Sequence, residues 1–504
     1  MASKRDCWSI VDPGFMPLEI LVGGDLLDKI AEQLASFMKI ASNIRFGIIL
    51  LALLPWPLSA AEKGVQLWLT RGDRSALFAL QPAGPFFGTN SPSGPVIDVD
   101  DKQQFQTMDG FGFALTGGSA MHLVRMQPSI RAALLRELFA TDSTNIGISY
   151  LRVSIGASDL NDHVFTYDDM PNGQTDTALA HFSLGEDRGD VIPVLKEILA
   201  INPSIKILGS PWTAPRWMKS NGLIKGGKLK PEYYEVYARY FVKYIQAMKA
   251  EGIRIDAITV QNEPLNTGNT PSMQMLAEDQ ALFIKKFLGP AFSAAKLDTK
   301  IILYDHNCDV PEYPLTILRD AEAARYVDGS GFHHYAGKLE AMSRVHDAFP
   351  QKHLYFTEQM VIERASRPGI DIAGQVSRLI IGAPRNWSRN VLLWNLAADK
   401  NNKPHTDDGG CPMCQGAITI EGNTVSRNVA YYVVAHASKF VRPGSVRIGS
   451  NQPENLPNIA FKTAQGTVLI TANRSREAQS FNVRFHGQSF SAMLNPGAAG
   501  TFVW

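Results

Sequence analysis

The chain has 504 residues, 45% of them hydrophobic and 19% charged, and carries a formal net charge of +1. A chain of this length buries enough surface for one large domain plus a smaller one, and its balanced charge leaves no footprint for nucleic acid or an anionic surface. Beyond residue 60 the sequence has no block of like charge, no low-complexity tract and no repeat of solenoid or propeller period.

The first readable element starts at Met38. Lys39 and Arg45 form a basic region, residues 46–54 an apolar core, and Leu58, Ser59 and Ala60 a small-residue cleavage site. The apolar run is shorter than the roughly 20 residues needed to span a bilayer. The sequence therefore predicts a signal peptide over 38–60 and no integral membrane span in the mature chain. It also predicts a secreted, periplasmic or cell-surface location. Residues 1–37 lie upstream of a complete signal and read as an extension ahead of the true start. A genuine long n-region, or a membrane anchor, is the competing account.

Residues 61–105 carry strands expected to join a side β-sandwich. From there to residue 430, short apolar runs alternate with longer helical patterns. The runs occupy 108–115, 148–155, 205–212, 256–263, 300–307, 329–336, 353–360 and 390–397. Helical patterns lie between them, over 129–140, 190–201 and 232–252. In the last of these, Tyr234, Tyr237, Phe241, Tyr244 and Ile245 recur at spacings of three and four, and Gly252 supplies a C-terminal cap. Eight strands alternating with helices predict an α/β chain with a (β/α)8 TIM barrel over 106–430. No GxGxxG turn follows the first strand, so no dinucleotide cofactor is expected. Residues 431–504, including YYVVAHASKFV, IAFKTAQGTVLITANRS and QSFNVRFHG, read as an appended antiparallel β-sandwich.

The cysteines are Cys7, Cys308, Cys411 and Cys414. The CPMC spacing leaves a loop disulfide or a pair of free thiols open, and a zinc site would need a second ligand pair. HTDDGG over 405–410 resembles half of a calcium loop without its later bidentate glutamate, so no metal is expected.

In such a barrel the active site forms at the C-terminal ends of the strands. Strand 3 ends in GSPWTAPRWMK, strand 4 in QNEP, strand 6 in HHY, strand 7 in TEQ and strand 8 in WN. Two acids stand out, Glu263 and Glu358, nearly opposite each other around the ring. Facing carboxyls suit glycosidic cleavage: one protonates the leaving oxygen while the other supports an oxocarbenium-like transition state. Burial and repulsion are expected to raise the pKa of the acid above that of its partner. Trp212, Trp217, Tyr335 and Trp394 would offer faces to sugar C–H surfaces. His333 and His334 alternate across their strand, so at most one faces the mouth, where a core hydrogen bond is its default role.

These motifs resemble glycoside hydrolase family 30, which holds glucosylceramidases and endo-β-1,6-glucanases. The likeness rests on TVQNEPL, QTMDGFGFALTGGSA, LGSPWTAPRWMK, GFHHYAG and WNLAADKNNKPHTDDGGC, and runs from about residue 97 to the C-terminus. The resemblance implies a retaining enzyme with a carbohydrate or glycolipid substrate. Glu263 would be its general acid/base and Glu358 its nucleophile. It further implies that Asn262 contacts the hydroxyl beside the anomeric carbon, and that Arg152 keeps the nucleophile ionised within the substrate-binding set. Trp212 and Trp394 would bind sugar, and Tyr335 would stand beside the nucleophile. In glucosylceramidases an aspartate after the threonine of the strand-1 motif binds sugar hydroxyls. Here Thr116 is followed by Gly117, which leaves room for another linkage.

Two other classes compete with a hydrolase of β-glucosidic bonds. A non-catalytic carbohydrate binder on the same scaffold would not need both Glu263 and Glu358, and a metal-dependent hydrolase would need a His/Asp ligand set that the strand ends do not display. A retaining enzyme for a β-xyloside or β-fucoside would share the same motifs.

Overall fold

Eight parallel strands close into a barrel in the computed structural model of the protein, which describes residues 64–89, 94–363 and 369–504. The predicted extension and signal peptide, residues 1–60, lie outside the described residues. The strands are Gly110–Ala114, Tyr150–Ser154, Lys206–Ser210, Ala257–Thr259, Lys300–Cys308, Val327–Gly337, His353–Glu358 and Ser388–Leu393. Asn390 of the eighth pairs with Gly110 of the first, which completes the ring. Tyr150, Leu208, Ala257, Ile302, Tyr355 and Leu392 come from six of these strands and form an apolar cluster of their own. They are the layer that fills the barrel and makes it a packed core rather than a pore.

The helices Pro128–Phe139, Val191–Ile201 and Tyr234–Ala250 occupy the predicted stretches. In the third, Tyr237, Tyr240, Phe241, Tyr244 and Met248 are buried, and Gly252 follows with φ +83°, a left-handed position that closes the helix end.

A nine-stranded sheet forms the second layer of the molecule. In order its strands are Gln488–Leu494, Gln479–Phe485, Val96–Thr107, Val446–Ser450, Asn458–Thr463, Gly466–Ala472, Ala499–Val503, Gln66–Thr70 and Ala79–Leu80. Phe481 and Phe490, near one edge, pack against Phe502, far along the order, with ring centroids 6.0 and 5.6 Å apart. That contact requires the sheet to fold over on itself, and the two halves enclose one apolar core containing Leu69, Val99, Leu469 and Phe502.

One segment departs from the sequence reading. YYVVAHASKFV was expected to be a sandwich strand, whereas Val429–Ser438 is an α-helix with every residue buried. A helix apolar on all faces carries no amphipathic period, and its β-branched residues imitate a strand. Burial against two layers overrides that local preference. On the sandwich side, the His436 ring bridges Thr501 Oγ1 at 2.8 Å and Thr70 Oγ1 at 2.9 Å. Burial lowers the His436 pKa to about 3, so the bridge is made by a neutral imidazole.

The first barrel strand has glycines where its neighbour leaves no room. A Cβ on Gly112 would lie 1.9 Å from the Tyr150 carbonyl oxygen. Gly112→Ala must therefore push two barrel strands apart, and it should lower stability by about 1–3 kcal/mol or more. A urea unfolding midpoint unchanged from wild type would show that this strand pair yields without cost.

Candidate active site

The site is organised around a charge with no exposed surface. Arg152, on the second strand, is fully buried. Its Nε donates to Ser210 Oγ at 3.1 Å, its Nη2 to Asn262 Oδ1 at 2.7 Å and Asp305 Oδ2 at 2.8 Å, and its Nη1 to Glu358 Oε2. Trp212 and Trp394 stack on each other with ring centroids 5.4 Å apart, and the guanidinium lies 4.9 and 5.8 Å from their centroids. Grouping Arg152 with substrate-binding residues is thus corrected: it sits beneath the cavity and positions the groups that line it.

Above it lies a cavity of about 290 Å³. Its walls include Glu263, Glu358, Asn262, Trp212, Tyr335 and Trp394. Tyr335 Oη donates to Glu358 Oε1 at 2.9 Å. Asn262 spends its side-chain oxygen on Arg152, which leaves its amide N–H groups for the cavity. Trp212 is 2% exposed and its Nε1 has no hydrogen-bond partner. The structure separates Trp217 from this group. It packs edge-on against Tyr233 and donates Nε1 to the Asp168 carbonyl at 2.9 Å, away from the cavity.

Three further residues belong here. His333 is inward and His334 outward, as alternation requires, but His333 does more than make a core hydrogen bond. Its Nδ1 lies 3.1 Å from Glu263 Oε1 and its Nε2 3.0 Å from Asp305 Oδ1. Asp305 is fully buried and also accepts from Thr259 and Thr357. Strand alternation alone does not place it. The register slips between Tyr304 and His306, and Tyr304 and Asp305 have φ of +72° and +65°, so a bulge turns this carboxylate inward. The signal that could have found it is that strand 5 ends in Asp-His-Asn, polar like the end of strand 4. Asp159, in the loop after the second strand, contributes a further carboxyl to the cavity wall. Gly117 could not have carried one: a Cβ there would lie 2.0 Å from Asn161 Nδ2.

The electrostatics reverse the expected order of the two acids. Burial pushes Glu263 up, but the hydrogen bond and charge of His333 outweigh it and hold Glu263 at about 2. Burial also pushes Glu358 up, and there it prevails over the pull of His333 and Arg152. His333 would be neutral by burial alone; Glu358, Asp305 and Glu263 raise it to about 9. Burial, then the charges of Glu358 and Glu263, raise Asp159 to about 8. In the free site, therefore, His333 is a cation between two carboxylates.

His333 and the carboxylate oxygens of Glu263 and Glu358 all lie within 4.8 Å of one another, a ligand set that the strand ends did not display to sequence reading. The chemistry of the set does not suit a metal. Both ring nitrogens of His333 are engaged by Glu263 and Asp305, and Glu358 already carries the Arg152 guanidinium.

The rim carries the Cys411–Cys414 disulfide, which resolves the choice between a loop disulfide and free thiols. Among the described residues, no helix is long and apolar enough to cross a membrane.

Residues 108–441 match the family model for the glycosyl hydrolase family 30 TIM-barrel domain, and residues 444–502 match that for the family 30 β-sandwich domain. An endo-1,6-β-D-glucanase of Aspergillus fumigatus is 36% identical over 457 residues, covering 82% of this chain and 91% of that protein. The lysosomal acid glucosylceramidase of Mus musculus is 29% identical over 448 residues, covering 84% and 85%. Among solved structures, an endo-β1,6-glucanase superposes with a TM-score of 0.81 at 35% identity, covering 88% of this chain and 99% of that one.

The charge on His333 has a measurable sign. Its pKa is about 9 in the fold against an ordinary 6.5, so its proton stabilises the fold fully below pH 6.5, and the contribution is lost as pH rises through 9. His333→Gln lacks this dependence. The gap in melting temperature between wild type and His333→Gln should be widest below pH 6.5 and narrow towards pH 9. A constant gap would mean that His333 is neutral in the fold.

Proposed function

The chain belongs to glycosyl hydrolase family 30 and is a glycosidase, and from that premise we propose that it cleaves β-1,6-glucan by double displacement with retention of configuration. The observation that carries the mechanism is the proximity of Glu263 and Glu358, with an oxygen of each within 4.8 Å across the cavity. Retaining pairs stand about 5–5.5 Å apart, whereas an inverting pair needs about 6.5–9.5 Å to admit water. The substrate reading is supported by the 36% identity to an endo-1,6-β-glucanase, against 29% to a glucosylceramidase.

Each group then has a task. Glu358 Oε1 and Oε2 are held by Tyr335 and Arg152, so the carboxyl group is fixed in place for attack on the anomeric carbon. As that bond forms, the glycosidic C–O bond breaks and Glu263 gives its proton to the leaving oxygen. In the free site this proton resides on His333, 3.1 Å from Glu263 Oε1, and its transfer along that hydrogen bond makes Glu263 the acid. In the second half, Glu263 takes a proton from water, which attacks the anomeric carbon and releases Glu358, and that proton passes back along the same hydrogen bond to His333, restoring the free site. Asn262 and Asp159 line the cavity where sugar hydroxyls would sit, together with the stacked pair Trp212 and Trp394.

We also propose export through the signal over 38–60. The Cys411–Cys414 disulfide supports an oxidising compartment. The secreted protein should have a mature N-terminus near Ala61 by intact mass, and a secreted form that still carries Met1 to Met38 would overturn the proposal.

The two carboxyl roles predict different rescue chemistry. With an activated aryl glucoside, Glu263→Ala should still form the glycosyl-enzyme, since that step no longer needs an acid, and azide should then restore turnover as the β-glycosyl azide. In Glu358→Ala, azide entering the vacated space should give the α-glycosyl azide. Inverted product from wild type, or the same azide anomer from both variants, would exchange or remove the assigned roles.

A further inference from the structure

Glu263 is held by more than His333. While His333 Nδ1 stands 3.1 Å from Oε1, the Asn266 side-chain amide donates Nδ2 to Oε2 at 2.7 Å. Asn266 is half-buried and belongs to the wall of the catalytic cavity. The local sequence builds this contact. Residues 263–266, Glu-Pro-Leu-Asn, form a turn closed by the Asn266 N–H on the Glu263 carbonyl at 2.8 Å, with Pro264 where a turn favours its fixed φ. The Glu263 backbone has φ +44°, a left-handed conformation that a non-glycine residue takes only where its surroundings enforce it. Asn266 Oδ1 accepts from the Gly268 N–H at 2.9 Å, which fixes the end of the amide that faces Glu263. The loop is braced in turn by residues 405–410, since Thr406 Oγ1 donates to the Thr270 carbonyl at 2.7 Å.

The direction of the bond to Oε2 matters to the chemistry. An amide N–H donates and cannot accept, so Asn266 favours Oε2 as a bare oxygen, either of the carboxylate or of the C=O of the acid. We propose that Asn266 is a positioning residue that reserves Oε1 for the catalytic proton. The proposal rests on the reading of Glu263 as the acid/base and specifies which of its oxygens acts. His333 Nδ1 gives its proton to Oε1, Oε1 passes it to the glycosidic oxygen as the C–O bond breaks, and Oε2 keeps its bond to Asn266 throughout. Without that donor the proton is free to settle on either oxygen, and the carboxyl group is free to turn about its Cγ–Cδ bond.

Asn266 also acts on the charge balance of the shared proton. His333, His306, Glu358, Asp159, Tyr304 and Tyr335 face Glu263 as well, and they stay constant when position 266 alone is changed. Asn266→Asp keeps an oxygen for the Gly268 N–H and so preserves the turn, but it replaces the donor on Oε2 with a second carboxylate. A negative charge there holds the proton of the His333–Glu263 pair more tightly.

Two glucosides with the same sugar separate the outcomes. Phenyl β-glucoside needs an acid for its leaving group, and dinitrophenyl β-glucoside does not. On purified Asn266→Ala, kcat/KM should fall by about tenfold on the phenyl glucoside, the loss of a hydrogen bond to a charged group, and stay within about twofold on the dinitrophenyl glucoside. In Asn266→Asp the alkaline limb of kcat/KM on the phenyl glucoside should move up by about one pH unit. That variant serves alone if Asn266→Ala does not fold by thermal melting. Equal effects on the two glucosides, or an alkaline limb that stays in place, would overturn the positioning role. Glu263→Ala on the same pair tests the underlying reading. A leaving-group preference there, with none in the Asn266 variants, removes the positioning role alone. No such preference in Glu263→Ala removes the acid/base assignment as well.

Discussion

Burying a guanidinium costs several kcal/mol unless anions and acceptors meet it in good geometry, and Arg152 has no exposed surface at all. Everything around it answers to that cost. Asp305 and Glu358 bring charge, Ser210 and Asn262 bring neutral oxygens, and two tryptophans bring ring faces. These partners come from strands on both sides of the ring. Arg152 is therefore neutralised only when the barrel is closed. Assembly of the reacting groups and closure of the fold are one event.

The same centre explains the order of the two acids. Asp305 grips one nitrogen of His333 and helps to keep it protonated, and the other nitrogen faces Glu263. Glu358 lies against the guanidinium, yet it is buried so deeply that its pKa still rises. Sequence reasoning counted two carboxyls and their mutual repulsion. It could not count a third carboxylate acting on one of them through an imidazole.

Legibility followed how local each feature is. The eight strands and the large helices were readable because apolar period and length are properties of short segments. Glu263, Glu358 and Tyr335 were readable as polar groups at strand ends in a fold whose chemistry gathers there. Trp217 was misread for the same reason: it follows the same strand, but a few loop residues carry it towards Tyr233. Asp305 was hidden by a bulge, since a shift of register changes the face a side chain takes without leaving a mark in composition. The helix Val429–Ser438 was hidden by burial on all sides, which removes the contrast between faces that periodicity detects. Asp159 was hidden because attention to the strand-1 motif looked for a carboxyl at Gly117, where the Asn161 side chain already fills the space.

The pairing of Gln66 with Val503 has a consequence in time. The strand Gln66–Thr70 enters the sheet beside Ala499–Val503, so one of the earliest described strands waits for one of the last. A chain emerging residue by residue can form barrel units as they appear, since each strand pairs with its neighbour in sequence. It cannot complete the sandwich until Ala499–Val503 has emerged. Contacts of such long separation are slow to form, because loop-closure entropy must be met before they reward it. A polypeptide built this way keeps its sandwich open until the strand Ala499–Val503 arrives, however early its barrel units form.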